Sequence, residues 1–261
     1  MIKFTQKEVL ILTIKIAVTG KSGSGKTTIV KSLLNVIKEK FPDKTFLLFD
    51  NDLSGELGHT YNQDIRNTIY GIRSGKHEYK TGIPQHMTKQ EYVEWAMEDI
   101  IVPLEENIDI IVSWLSGVKD CRCPITDQIN DAVQKIIERY DFVIFDCEFD
   151  LKYLIQMVDI DIDLALIVAN PTIESIHLAK RIYEYSAKYA AGGQLGVIIN
   201  KAENSEMAEI YNKANEAGLD ILGAIPIDNN LAHGSLTRES KAVDEAVKQL
   251  YFRLNLPQEN K

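Results

Sequence analysis

Cysteine is scarce in this chain. Three thiols in 261 residues cannot build the framework of a small disulfide-stapled domain, and they suit a reducing cytoplasm. Long apolar runs are missing too. Nothing approaches the roughly 18 uninterrupted apolar residues of a membrane-crossing helix, so no membrane span is expected. Positive charge is in deficit. Lys and Arg number 29 against 38 Asp and Glu, a net charge of −9. A broad nucleic-acid-binding face is therefore not expected, because phosphate backbones demand clustered cations. Repeats, low-complexity tracts and an obvious linker are also lacking. What the chain does have is 45% apolar residues, enough for a sizeable core. The apolar N-terminus is short and interrupted by Lys15, unlike a secretory leader. The organisation expected is an extension over residues 1–13 followed by a single domain over 14–261.

Short β-branched runs alternate with amphipathic segments. Strands are expected at Ile14–Val18, Phe46–Phe49, Ile108–Ser113, Phe142–Phe145, Leu164–Ala169, Gly196–Ile199 and Ile221–Ile225. They read as continuous apolar runs, the mark of strands covered on both faces. Helices are expected at Lys26–Lys40, Thr88–Glu105, Asp127–Arg139, Ile173–Ala191, Glu203–Ala217 and Ser240–Leu254. Thr88 and Glu91 have the spacing of a capping box, and Pro103 should bend or end its helix. Leu53 to Gln85 reads as a loop-and-helix insertion. The fold class is α/β, a mostly parallel sheet flanked by helices, with ligands gathered at the carboxyl ends of the strands.

Between the first strand and the first helix lies Gly20-Lys21-Ser22-Gly23-Ser24-Gly25-Lys26-Thr27-Thr28. It satisfies G-x-x-x-x-G-K-[ST], a loop whose backbone N–H groups wrap phosphate oxygens at a helix N-terminus. Lys26 would reach the β- and γ-phosphates, and Thr27 would ligate Mg²⁺. Such a loop predicts a site for a nucleoside triphosphate. Asp50 and Asp52 end the second strand, where a carboxylate can orient or deprotonate an attacking water. Asp146 ends the run FVIFD and would hold a Mg²⁺-bound water opposite Thr27. A strand-end Asp can equally be a helix cap. Asn200 and Lys201 close the strand GVIIN, where they could read a purine edge. Pro226 and Asp228 follow the last strand and could wall the base.

Cys121-Arg122-Cys123 follows the third expected strand in the loop SGVKDCRCPIT. Two thiolates one residue apart can face one ion, yet they half fill a four-coordinate site. A twofold dimer would bring four sulfurs together, suited to Zn²⁺, Ni²⁺ or an iron–sulfur cluster. An incidental pair of loop cysteines is the plainer alternative. Cys147 reads as a small buried hydrophobe. The histidines at 59, 77, 86, 177 and 233 have no ligand spacing and read as surface residues. Trp95 and Trp114 read as core. The run from Val243 to Leu256 has the look of a weak membrane anchor.

Together these pieces resemble the deviant-Walker-A P-loop ATPases, the SIMIBI-type group that holds the MinD, ParA and nitrogenase iron-protein branches. Its loop reads K-G-G-x-G-K-[ST]; here Lys21 falls on the signature lysine and Ser22 replaces a glycine. Asp50-Asn51-Asp52-Leu53 falls on the D-x-D-P element, which makes Asp52 the water-orienting carboxylate. The C-x-C is similar to that of CooC-type accessory ATPases of carbon monoxide dehydrogenase maturation. That resemblance implies an ATP-dependent homodimer with Lys21 reaching the partner's nucleotide. It implies nickel or zinc held between subunits by Cys121 and Cys123. It also implies a client metalloenzyme, carbon monoxide dehydrogenase or acetyl-CoA synthase. An iron–sulfur electron donor and a MinD- or ParA-like partner switch are the alternatives. Where that family has D-x-E-A-G, this chain has Asp146-Cys147-Glu148-Phe149-Asp150. A carboxylate in place of glycine opposes close approach of phosphate and implies slow turnover.

Overall fold

The computed structural model describes residues 13–52, 54–61, 67–73, 85–113, 124–148, 161–187, 193–203, 207–228, 240–254 and 256. Several expectations fall outside them: the N-terminal extension, Leu53, His77, His233, Trp114, Cys121, Cys123, Phe149 and Asp150.

Eight described strands form one sheet. In chain order they are β1 (Ile14–Gly20), β2 (Phe46–Asn51), β3 (Val102–Glu105), β4 (Ile108–Val112), β5 (Phe142–Cys147), β6 (Leu164–Ala169), β7 (Gln194–Ala202) and β8 (Ile221–Pro226). Their spatial order is β3-β4-β2-β5-β1-β6-β7-β8. Every neighbouring pair is parallel except β3 with β4. The α/β architecture is therefore the one expected.

The helices are α1 (Lys26–Lys40), α2 (Glu56–Thr60), α3 (Ile69–Arg73), α4 (Lys89–Asp99), α5 (Pro124–Ile137), α6 (Ile173–Ser186), α7 (Met207–Glu216) and α8 (Lys241–Tyr251). Strand alternation sorts them onto two faces. Ile16 and Val18 point into one core, with Leu33 and Ile37 of α1 and Val243, Val247, Leu250 and Tyr251 of α8. Ala17, Phe49, Phe145 and Cys147 face the other side, against α3, α4 and α5. Ile167, Ile199 and the buried stripes of α6 and α7 extend that second face. Covering the sheet on both sides is what lets its central strands be apolar throughout.

Four expectations need correction. The helix expected over Thr88–Glu105 stops at Asp99, and Val102–Glu105 is instead the antiparallel strand β3. Pro103 has no N–H to give a helix interior, whereas an edge strand tolerates that loss. Trp95 is 37% exposed rather than core. The buried stripe of α4 is Val93, Ala96, Met97 and the following Ile100, at helical spacing, and Trp95 falls off it. Glu203 lies outside α7, whose described part is Met207–Glu216, and α6 ends at Ser186. The apolar side of α8 is not free for a lipid surface. It is buried against α1 and the sheet, and among its large apolar neighbours only Phe252 stands out, at 69% exposure. The capping box at Thr88 and Glu91 is present as the sequence implied.

Candidate nucleotide site

The phosphate loop bridges β1 and α1 at the carboxyl edge of the sheet. Gly20 has φ +147°, and a Cβ there would come within 2.2 Å of the Val168 carbonyl oxygen. Gly25 has φ +94°, and its Cβ would meet Asn200 Nδ2 at 2.3 Å. Backbone blocks any side chain at Gly20, and the left-handed φ disfavours one at Gly25, so local sterics favour both glycines of the motif.

Three carboxylates and one ammonium meet behind this loop. Lys26 is buried, and its Nζ lies 3.4 Å from Asp52 Oδ2. Thr27 Oγ1 donates to Asp146 Oδ2 at 2.6 Å. Asp50 and Asp146 are register partners on β2 and β5, and both are wholly buried. Burial pushes Asp146 up to about 8. The Thr27 hydroxyl works against that shift, and the Asp50 carboxylate adds to it. Burial likewise pushes Asp50 up to about 6, opposed by the N–H groups of Gly58 and Asp52 that its oxygens accept. Asp52 in turn accepts from Ser54 N and Ser54 Oγ. The strand ends are thus tied to α2.

Among the described residues, Asp146 Oδ1 is buried with no hydrogen-bond partner. Such an orphan oxygen, beside a Thr hydroxyl and among anionic groups whose charge burial disfavours, fits a hard divalent cation with its water shell. Thr27 and Asp146, with Asp52 nearby, are therefore suited to hold Mg²⁺.

The remaining candidates have definite places. Lys21, Ser22 and Gly23 are exposed on the loop, while Ser24 is buried. Thr28 is half-buried in the first turn of α1. Asn200 Nδ2 donates to the Ser24 carbonyl at 2.7 Å, and Lys201 Nζ to the Gly23 carbonyl at 2.6 Å. Both residues therefore grip the loop, a role the reading of a purine edge did not include. Pro226 is exposed at the end of β8, and Asp228 accepts from Ser240 Oγ at the start of α8. Cys147 is fully buried and its thiol is pushed well up by burial. It serves as core, as the sequence implied. His59, His86 and His177 are exposed. Among the described residues no cluster of three or more His, Cys, Asp or Glu is arranged to hold a metal ion.

Two contacts were not foreseen. Buried Ser113, just past β4, donates through Oγ to Asn51 Oδ1, and its N–H donates to the Asp50 carbonyl at 2.9 Å. Thr19 Oγ1 donates to the Glu148 carbonyl, joining the loop's entrance to the end of β5. A polar residue breaking an apolar strand end was the available signal for both.

A strand–loop–helix with these glycines, a buried lysine and a Thr–Asp pair defines a P-loop nucleotide-binding protein. Residues 15–240 match the CobQ/CobB/MinD/ParA nucleotide binding domain, and the chain belongs to that family as a P-loop ATPase. It is 25% identical over 224 residues to an uncharacterized ATP-binding protein of Methanocaldococcus jannaschii, covering 85% of this chain and 87% of that one. A second such protein from the same organism is 26% identical over 261 residues, covering 93% and 98%. The fold is similar to the septum site-determining protein MinD of Pyrococcus horikoshii complexed with Mg-ADP. There the TM-score is 0.65 and the identity 21%, over 94% of this chain and 96% of that one. No described helix is long and apolar enough to cross a membrane.

Proposed function

We propose that this chain is a Mg²⁺-dependent ATPase that works as a homodimeric metallochaperone. Ni²⁺, or Zn²⁺ in its place, would be the cargo of Cys121 and Cys123. The client would be a metalloenzyme such as carbon monoxide dehydrogenase or acetyl-CoA synthase. The observation that carries the metal half is the C-x-C itself, set in the connection that leaves β4 at Ser113. Ser113 is bonded to both Asp50 and Asn51, so this connection starts one hydrogen bond away from the Asp50–Asp52 segment.

At the nucleotide, Lys26 exchanges its ion pair with Asp52 for the β- and γ-phosphates. Asp52, released from the ammonium, orients water in line with the γ-phosphate and accepts its proton. Thr27 and Asp146 would hold the Mg²⁺, which would supply positive charge against the triphosphate. Lys21, exposed at the loop's tip, is free to meet a partner's nucleotide. Dimer closure would then change the spacing of the paired thiolates and couple cargo affinity to nucleotide state in both directions. The Asp150 carboxylate keeps turnover slow.

Equilibrium titration with Ni²⁺ and with Zn²⁺, with and without a non-hydrolysable ATP analogue, tests this reading. About one ion per two chains is expected, bound more tightly with nucleotide and lost in the Cys121→Ser/Cys123→Ser variant, which keeps its nucleotide affinity. Absence of metal binding overturns the cargo role. Anaerobic protein that is brown and iron-rich supports an iron–sulfur electron donor instead. ATP-dependent co-sedimentation with lipid or DNA supports a MinD- or ParA-like partner switch.

A further inference from the structure

Lys201 is the only non-glycine among the described residues with a positive φ, +60°. An L side chain is strained there because Cβ crowds the carbonyl that follows. The strain sits in a β-bulge. Ile199 pairs with Ala224 and Ala202 with Pro226, so β7 takes three steps where β8 takes two. Glycine is the usual occupant of a bulge position at positive φ. This chain places a lysine there, and the lysine's Nζ reaches the Gly23 carbonyl at 2.6 Å. The residue before it, buried Asn200, donates to the next loop carbonyl, that of Ser24, at 2.7 Å.

We infer that Lys201 is a positioning residue for nucleotide binding, held in a strained bulge so that its ammonium, with the Asn200 amide, fixes the orientation of two consecutive loop peptides. In a trans peptide the C=O and the N–H point opposite ways. Holding the Ser24 carbonyl toward Asn200 therefore turns the Gly25 N–H the opposite way, free of that contact. Fixing the Gly23 carbonyl likewise orients the Ser24 N–H, which donates to the Lys21 carbonyl at 3.1 Å and closes the turn that carries Lys21. The loop is rich in glycine, and an unbraced loop of that kind samples many conformations before a ligand orders it. Bracing from β7 removes part of that ordering cost. A β-bulge next to a site commonly serves to re-aim a side chain, and here the redirected group is the lysine ammonium.

The inference rests on the chain's binding of nucleotide and is separate from the metal it carries. Its test uses two variants of the full chain, read by MgADP affinity and by the melting temperature without nucleotide. Lys201→Gly removes the strain and the brace together. The nucleotide-free melting temperature should hold or rise while MgADP binds about tenfold more weakly. Lys201→Met keeps the strain and the bulk but loses the donor; it should weaken MgADP by a similar factor with no thermal gain. Wild-type affinity in either variant overturns the inference. A fall in both affinity and nucleotide-free melting temperature in Lys201→Gly also overturns it, since that is what a merely structural lysine would give. Wild-type protein that ignores MgADP would overturn the nucleotide site itself, and the inference with it.

Discussion

Individual side chains at the carboxyl edge carry the proposed chemistry, and Lys26 is the pivotal one. Its ammonium pairs with Asp52 and also offsets the charge of Asp146. Lys26→Ala should eliminate detectable MgATP binding, by calorimetry or by displacement of a fluorescent nucleotide. Unchanged affinity would place the nucleotide elsewhere. The loop residues were legible in sequence because a motif fixes both their types and their spacing. Asp52 and Asp146 were legible because each closes an apolar run. Asn200 was harder. Its position at a strand end was evident, but the bond to Ser24 links residues far apart in the chain, and only the assembled sheet brings them together. The bulge at Lys201 had no local signal at all, since the residue type contradicts the backbone it adopts.

Secondary elements were read well where their pattern was strong and poorly where one residue broke it. Parallel strands showed themselves as unbroken apolar runs. The strand β3 did not. It is short, alternates between half-buried and exposed residues, and follows an amphipathic helix closely, so helical spacing seemed to run on through it. The starts of β2 and β5 show how such elements are fastened. Asp141 accepts from Thr45 N at 2.9 Å, from Thr45 Oγ1 at 3.0 Å and from Lys44 Nζ at 2.7 Å. Burial alone would raise its carboxyl, but the bonds from Lys44 and Thr45 prevail and hold it below the usual carboxylate range. A depressed folded value means stability that is present at neutral pH and is lost as pH falls through that value, below about 4. Asp141→Asn should therefore cost about 1–2 kcal/mol at pH 7 in urea unfolding. The gap between wild type and variant should close as pH drops toward 3 (a comparison measured relative to an unfolded carboxyl near about 3.9). A pH-independent gap would assign the loss to packing instead.

At the scale of the whole molecule, α8 closes the face of the sheet that α1 begins. Val243, Val247, Leu250 and Tyr251 are all buried there. Each contributes about 1.5–3 kcal/mol when removed from water, and together they rival the total stability of an ordinary domain, about 5–15 kcal/mol. Deleting residues 240–261 should abolish cooperative unfolding and the near-ultraviolet circular dichroism, and a sharp transition in the shortened chain would refute that role. The amphipathic pattern of this helix was plain in sequence. Whether its apolar side met lipid or protein was not, because both partners ask for the same stripe. The outermost strands have a consequence of another kind. β3 carries Pro103 and β8 ends in Pro226. A ring nitrogen cannot offer a proton to an incoming strand, so each rim of the sheet is blunted against joining with a neighbour's. Rim-to-rim joining of copies into end-to-end ribbons is thereby disfavoured at both described edges.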